Sequence, residues 1–188
     1  MASAESWNER YGSGSHASTD ADPFLAEACR YRHLLTGSKA LDLGSGAGRH
    51  SAYLARSGFS VTAIDFSQQA LKLAAEKSKG LDIEFLESDL ESGTPDFGEA
   101  RYDLVAVFEY LHRPLFPAIA RSVRPGGLIV YKTYLAGGSR GPSSPNYLLE
   151  PNELLRHFAG YRVLRYQEQL ASDPDRRATA ALVAQKPE

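Results

Sequence analysis

The sequence holds one cysteine, Cys29, and one tryptophan, Trp7. A single thiol excludes an internal disulfide and a cysteine-built metal cluster, and the apolar neighbours of Cys29 suit inert packing. No metal site is expected. Nor does one sign of charge dominate: 21 Lys and Arg face 23 Asp and Glu, a formal net charge of −2. Both signs are spread along the chain, so no basic stripe points to nucleic acid. No uninterrupted apolar run approaches membrane-spanning length. The opening Met1-Ala2-Ser3-Ala4-Glu5-Ser6 lacks the basic-then-apolar order of a secretion signal. These absences leave a cytoplasmic enzyme or binding protein as the expectation.

What is present suits one domain. The chain has 188 residues, 43% hydrophobic and 23% charged, an ordinary globular balance. A core of this size buries roughly 70% of the unfolded surface and needs no staples. Residues 1–21 are polar and read as an N-terminal arm or lid, with Trp7 and Tyr11 as its aromatic content. Residues 22–188 read as the single domain. Asp22-Pro23 starts a helix, with Asp22 as cap and proline at the first position, and Gly37 ends it.

Short apolar runs then alternate with helical periodicity. Ala40–Leu43, Phe59–Asp65, Asp82–Leu86, Tyr102–Phe108 and Leu128–Tyr134 read as strands, and segments near 49–56, 67–80 and 115–123 as helices. This alternation predicts an α/β fold with a mostly parallel sheet and helices on both faces. After a Gly, Ser and Pro-rich loop over 136–147 come a helix over 151–158 and two runs, 161–167 and 178–185. The polar linker between those runs suits a hairpin, so the last strand should be antiparallel.

The chemistry gathers at strand ends. Asp42-Leu43-Gly44-Ser45-Gly46-Ala47-Gly48 lies between a strand and a helix, where an open α/β sheet binds its ligands. Glycines let the backbone turn sharply and approach a bound molecule. Asp65 ends the next strand about twenty residues on, where a carboxylate can hold ribose hydroxyls. The spacing G-x-G-x-G places Arg49 where a dinucleotide fingerprint has its third glycine. Asp42 before the loop suits a cationic cofactor better than one carrying phosphates. An NAD(P)-dependent oxidoreductase is therefore disfavoured.

On these residues, with Glu87-Ser88-Asp89 and Val123-Arg124-Pro125-Gly126-Gly127, the chain resembles the class I S-adenosylmethionine (SAM)-dependent methyltransferases. The resemblance implies a Rossmann-like, seven-stranded, mostly parallel sheet with an antiparallel last strand. SAM would be the cofactor and S-adenosylhomocysteine its product. Gly44, Gly46 and Gly48 would line the methionine part, Asp65 the ribose, Phe66 the adenine ring and Asp89 its amino group. Arg49 and Leu90 join that cofactor set, and Phe108 and Glu109 would lie beside the methyl group.

A narrower resemblance, to the tellurite-resistance and thiopurine-methyltransferase-like branch of small bacterial members, rests on Trp7-Asn8-Glu9-Arg10-Tyr11, Asp22-Pro23-Phe24-Leu25, Arg49-His50 and Tyr147–Leu155. It implies a small-molecule methyl acceptor: a thiol, a selenium or tellurium oxyanion, or another small metabolite. An amine or oxygen of a larger acceptor, or SAM binding without catalysis, stays open. A thiol needs little help from a base, whereas an ammonium or hydroxyl does. His112, Tyr134 and Glu109 are the catalytic candidates. Trp7, Arg10 and Tyr11 would fold over the cofactor or anchor the arm on the sheet, and Arg140 would attract an anion or stay solvated. No nucleic-acid or membrane partner is expected, and the chain should be a monomer or weak homodimer.

Overall fold

The computed structural model describes residues 4–12, 20–93, 95–138, 141–170 and 177–188. Seven strands form one sheet: β1 (Lys39–Leu43), β2 (Ser60–Asp65), β3 (Ile83–Glu87), β4 (Tyr102–Phe108), β5 (Val123–Tyr134), β6 (Arg162–Gln169) and β7 (Thr179–Gln185). Their order is β3-β2-β1-β4-β5-β7-β6. The first five run parallel, and β7 is antiparallel to both β5 and β6. The expected fold class is therefore the observed one.

The sheet separates two apolar layers. On β4, Leu104, Ala106 and Phe108 face one core, built with Phe24, Leu25, Leu54 and Phe59. Val105 and Val107 face the other, with Leu41, Ile119, Ile129, Tyr131 and Phe158. This two-residue alternation on a strand buried throughout is how a central parallel strand serves both faces. Helix α3 (Arg49–Arg56) packs on β1, β2 and β3, α4 (Gln68–Lys77) on β2 and β3, α5 (Phe116–Ser122) on β4 and β5, and α6 (Glu153–His157) on β7. No helix among the described residues is long and apolar enough to cross a membrane.

Three segments depart from expectation. Residues 4–12 form a helix, α1 (Ala4–Gly12), docked against α4. The helix begun at Asp22 stays α-helical only as α2 (Pro23–Ala28), then tightens into a 3₁₀ turn over Cys29–Leu34. That turn carries Arg32, whose guanidinium donates to the Ser57 and Gly58 carbonyls at 2.8 and 3.1 Å and lies over the Phe59 ring. Tertiary anchoring thus overrides the helical period. Strand β5 also begins earlier than Leu128. Pro125-Gly126-Gly127 is a bulge within the strand, Gly126 taking φ 74° where β4 and β5 shift register.

Candidate active site

Strands β1, β2 and β4 all end on one edge of the sheet, and the site is assembled there. Gly44, Gly46 and Gly48 carry φ of 68°, 53° and 77°, the left-handed region that other residues enter only with strain. The loop folds back onto β2: Gly44 and Ser45 donate their amides to the Ile64 carbonyl at 2.9 and 3.0 Å. Gly46 donates its amide to Asp65 Oδ2 at 2.8 Å, and Ser67 donates to Asp65 Oδ1 at 2.9 Å. Asp65 is 6% exposed, and burial holds its pKa above the usual carboxylate value against those two amides.

Asp42 lies under the same loop. It is fully enclosed, accepts from Ser51 Oγ at 2.5 Å, and burial pushes its pKa up to about 6. The buried Ser45 hydroxyl has no partner among the described residues. A cradle of left-handed glycines with two buried carboxylates and an orphaned hydroxyl fits a polar ligand carrying positive charge, as a sulfonium with an ammonium does. Further along the edge, half-buried Phe66 follows Asp65, and exposed Asp89 follows β3, its Oδ1 accepting from the Glu91 amide at 2.9 Å. Leu90 is buried in the core beside them.

Helix α1 roofs the loop. Tyr11 lies so close to Gly46 that a Cβ added there would collide with its hydroxyl. Burial, then the charge of Asp65, raises the Tyr11 pKa above the ordinary phenol value. Trp7 stacks on Tyr11 with centroids 5.9 Å apart. Asn8 is the clip: its Oδ1 accepts from Ser67 Oγ at 2.6 Å and from the Gln69 amide at 3.3 Å, at the start of α4. The sequence names Asn8 only as part of the Trp7–Tyr11 segment, and its own role was not legible there. The side chain of Arg10, and Arg140 altogether, lie outside the described residues.

Beyond the loop the edge opens into a cavity of about 400 Å³, lined by Asp22, Glu109, Lys132, Thr133, Tyr134 and Arg177 among others. Glu109 holds a left-handed φ of 55°, a local strain of about 1–2 kcal/mol, and its amide donates to the Lys132 carbonyl at 2.8 Å. Arg49, the first residue of α3, reaches Glu109 Oε1 at 3.1 Å, and Arg177 stands 3.8 Å from the same oxygen. Arg177 also donates to the Tyr134 hydroxyl at 2.9 Å. Burial, then the Glu109 charge, raises the Tyr134 pKa. Lys132 Nζ donates to Asp22 at 2.7 and 2.9 Å.

The structure thus brings Glu109, Tyr134 and Arg49 together. His112 stands half-buried ahead of a 3₁₀ turn over Arg113–Leu115 and does not line this cavity. Phe108 turns into the core, stacked on His50 with centroids 4.2 Å apart, because the alternation of β4 puts it on the helix-covered face. Lys132, Arg177 and Asp22 had no role in the sequence reading beyond the Asp22 cap. A lysine inside the apolar run of β5 was the one local signal. Among the described residues no cluster of His, Cys, Asp or Glu could hold a metal ion.

Residues 40–127 match the family described as methyltransferase domain. A ubiquinone biosynthesis O-methyltransferase from Erwinia tasmaniensis is 32% identical over 106 residues, covering 53% of this chain and 43% of that protein. The chain spans about half the length of the curated relatives it matches. TehB from Haemophilus influenzae is similar in structure, with a TM-score of 0.73 at 22% identity, covering 95% of this chain and 67% of that one. Phosphoethanolamine N-methyltransferase 2 from Haemonchus contortus, solved in complex with S-adenosyl-L-methionine, gives a TM-score of 0.70 at 19% identity, covering 88% and 52%. At such identities the structural likeness establishes the fold.

Proposed function

We propose that this chain, whose residues 40–127 match a methyltransferase domain, transfers a methyl group from SAM to a small-molecule acceptor bound in the cavity beside Glu109. The observation that carries this reading is one contact. Arg49, at the start of the helix that follows the glycine loop, reaches Glu109 on the cavity wall at 3.1 Å, so an ion pair links the end of the loop to the cavity.

When bound, SAM supplies an activated methyl group that a nucleophile displaces from sulfur in line. The protein's part is orientation and dryness. Gly44, Gly46 and Gly48 would admit the methionine part, Asp65 would hold the ribose, and the enclosed Asp42 carboxylate would add negative charge beneath the loop. Phe66 and Asp89 would flank the adenine side, and α1 covers the loop through Tyr11. Glu109 Oε1 is the group placed to take a proton from the acceptor, with Arg49 and Tyr134 fixing its orientation. His112 is a weaker candidate because it lies off the cavity.

Similar proteins bear names with different acceptors, a quinone-pathway oxygen in one and an amine in another, so the acceptor atom is not read from them. Calorimetry with SAM, S-adenosylhomocysteine and NADH tests the cofactor, with binding of the first two and not the third expected. A panel of thiols, amines, and selenium or tellurium oxyanions, followed by S-adenosylhomocysteine release, tests the acceptor. Tight cofactor binding with no turnover on any small molecule would favour the larger-acceptor reading or binding without catalysis.

A further inference from the structure

Trp7, Asn8 and Tyr11 lie on one face of α1, half-buried against the body of the chain, while Glu9 and Gly12 face solvent. Tyr11 stands over Gly46, and the charges of Asp65 and Arg49 both reach its hydroxyl. Beneath it Ser45, Gly46 and Asp65 are buried. A ligand bound for the loop and for Asp65 therefore meets Tyr11 first. Neither the glycine loop nor Asp65 lines the cavity beside Glu109, so that cavity is not their entrance.

The docking of α1 is reversible by its chemistry. Asn8 Oδ1 accepts from Ser67 Oγ at 2.6 Å and from the Gln69 amide at 3.3 Å. Both donors belong to the first turn of α4, where Ser67 already caps the Ala70 amide at 3.2 Å. When Asn8 leaves, the Ser67 hydroxyl and the Gln69 amide turn to water, as open helix starts do. A helix of nine residues is marginal by itself, so α1 depends on this docking and opens more readily than the sheet. The chain beyond it is fixed. Asp22 accepts from the Phe24 amide at 2.8 Å and holds Lys132 at 2.7 Å, so α1 lifts without disturbing the domain.

We infer that α1 is a gate on the cofactor loop: Asn8 latches it to α4, and the cofactor enters and leaves only when Tyr11 lifts off Gly46. This rests on the methyltransferase reading, which makes the glycine loop and Asp65 the cofactor's site. Opening precedes binding, so the association rate scales with the open fraction of α1. The bound chain is closed throughout. A weaker latch therefore speeds departure by its full effect, and speeds arrival less, because part of the free chain is already open.

Surface plasmon resonance with S-adenosylhomocysteine over the immobilised full chain reads both rates. Asn8→Ala should speed association about threefold and dissociation about tenfold, so that affinity still falls. Tyr11→Ala removes the obstructing ring, keeps the latch, and should speed association at least as much. An association rate unchanged in either variant overturns the gate and makes α1 a roof that closes after binding. Amide exchange by NMR, with no ligand added, reads the opening itself: the Gly46 amide should exchange faster in Asn8→Ala than in the unaltered chain. If none of the three chains binds S-adenosylhomocysteine, the methyltransferase reading falls. Faster Gly46 exchange would then leave the gate over the loop standing, and unchanged exchange would overturn it as well.

Discussion

The amide of Gly46 donates to Asp65 Oδ2 at 2.8 Å, so a side-chain bond joins the turn of the glycine loop to the end of β2, beside the two backbone bonds to the Ile64 carbonyl. The second oxygen of Asp65 accepts from the Ser67 amide at 2.9 Å, at the cap of α4. One carboxylate therefore fixes the loop and the following helix start together.

Asp65→Ala should consequently disturb the fold as well as the ligand. It leaves two buried amides unpaired, at about 1–3 kcal/mol each before relaxation or water entry. Asp65→Asn keeps one acceptor oxygen and should lose about half as much stability. Urea unfolding compares the two, and calorimetry with SAM should show both variants weakened. An Asp65→Ala variant as stable as the parent would mean that the carboxylate only serves the ligand.

Asp42 sets a pH dependence of binding. Its folded pKa, raised to about 6 by burial, lies above the unfolded value, so its contribution to stability is full below the unfolded pKa and is lost as pH rises through about 6. Binding runs the other way, because a cationic ligand prefers the ionised form. SAM affinity should fall by up to about tenfold per pH unit below 6 and level off above it. Calorimetry at pH 5, 6, 7 and 8 reads this, and Asp42→Asn should flatten the profile at a lower affinity. A flat profile in the unaltered chain would remove Asp42 from the ligand's surroundings.

Much of this edge was legible in the sequence because its features are local. Gly44-Ser45-Gly46-Ala47-Gly48 announces a turn by residue type, and Asp65 announces a strand end by its place after Ala63-Ile64. The alternation of apolar runs was enough for the sheet. The cavity was not legible, since its pairs join residues far apart in sequence: Asp22 with Lys132, Arg49 with Glu109, Tyr134 with Arg177. Neither periodicity nor turn chemistry records which strand ends meet. Phe108 shows the same limit, because its place at a strand end is visible and the face it takes is decided by the pleat. The tightening of Cys29–Leu34 into a 3₁₀ turn depends on the Ser57 and Gly58 carbonyls, outside any local window.

Asn8 should govern how firmly α1 roofs the loop. Its side chain holds Ser67 Oγ and the Gln69 amide, and Asn8→Ala removes both bonds for about 1 kcal/mol or somewhat more. Trp7 is the chain's one tryptophan, so its fluorescence reports α1 directly. The variant should show a red-shifted Trp7 emission and SAM binding weakened several-fold, with global unfolding changed little. Deleting residues 1–21 should weaken SAM binding further. Unchanged emission and affinity in Asn8→Ala would show that α1 is held by other contacts.

His50 sets a pH dependence of stability through its packing in the core. The ring is 4% exposed, stacks on Phe108, and leaves Nε2 without a partner among the described residues. Burial, with Arg49 adding to it, lowers its pKa from 6.5 to about 3, so the folded chain holds it neutral. The unfolded chain binds a proton at His50 below about 6.5, and stability should fall as pH drops from there toward 3, by up to about 1.4 kcal/mol per unit. Asp42 opposes this between its unfolded pKa and about 6, so the two are resolved by substitution rather than by the bare profile. His50→Phe keeps the stack and removes the orphaned nitrogen. At pH 7 it should be more stable by about 1 kcal/mol, and below pH 6.5 the gap over the parent should widen. Urea unfolding at pH 7, 6, 5 and 4 measures both. A variant that is less stable at pH 7, or whose gap stays constant with pH, would show that His50 is hydrogen-bonded or charged in the folded chain.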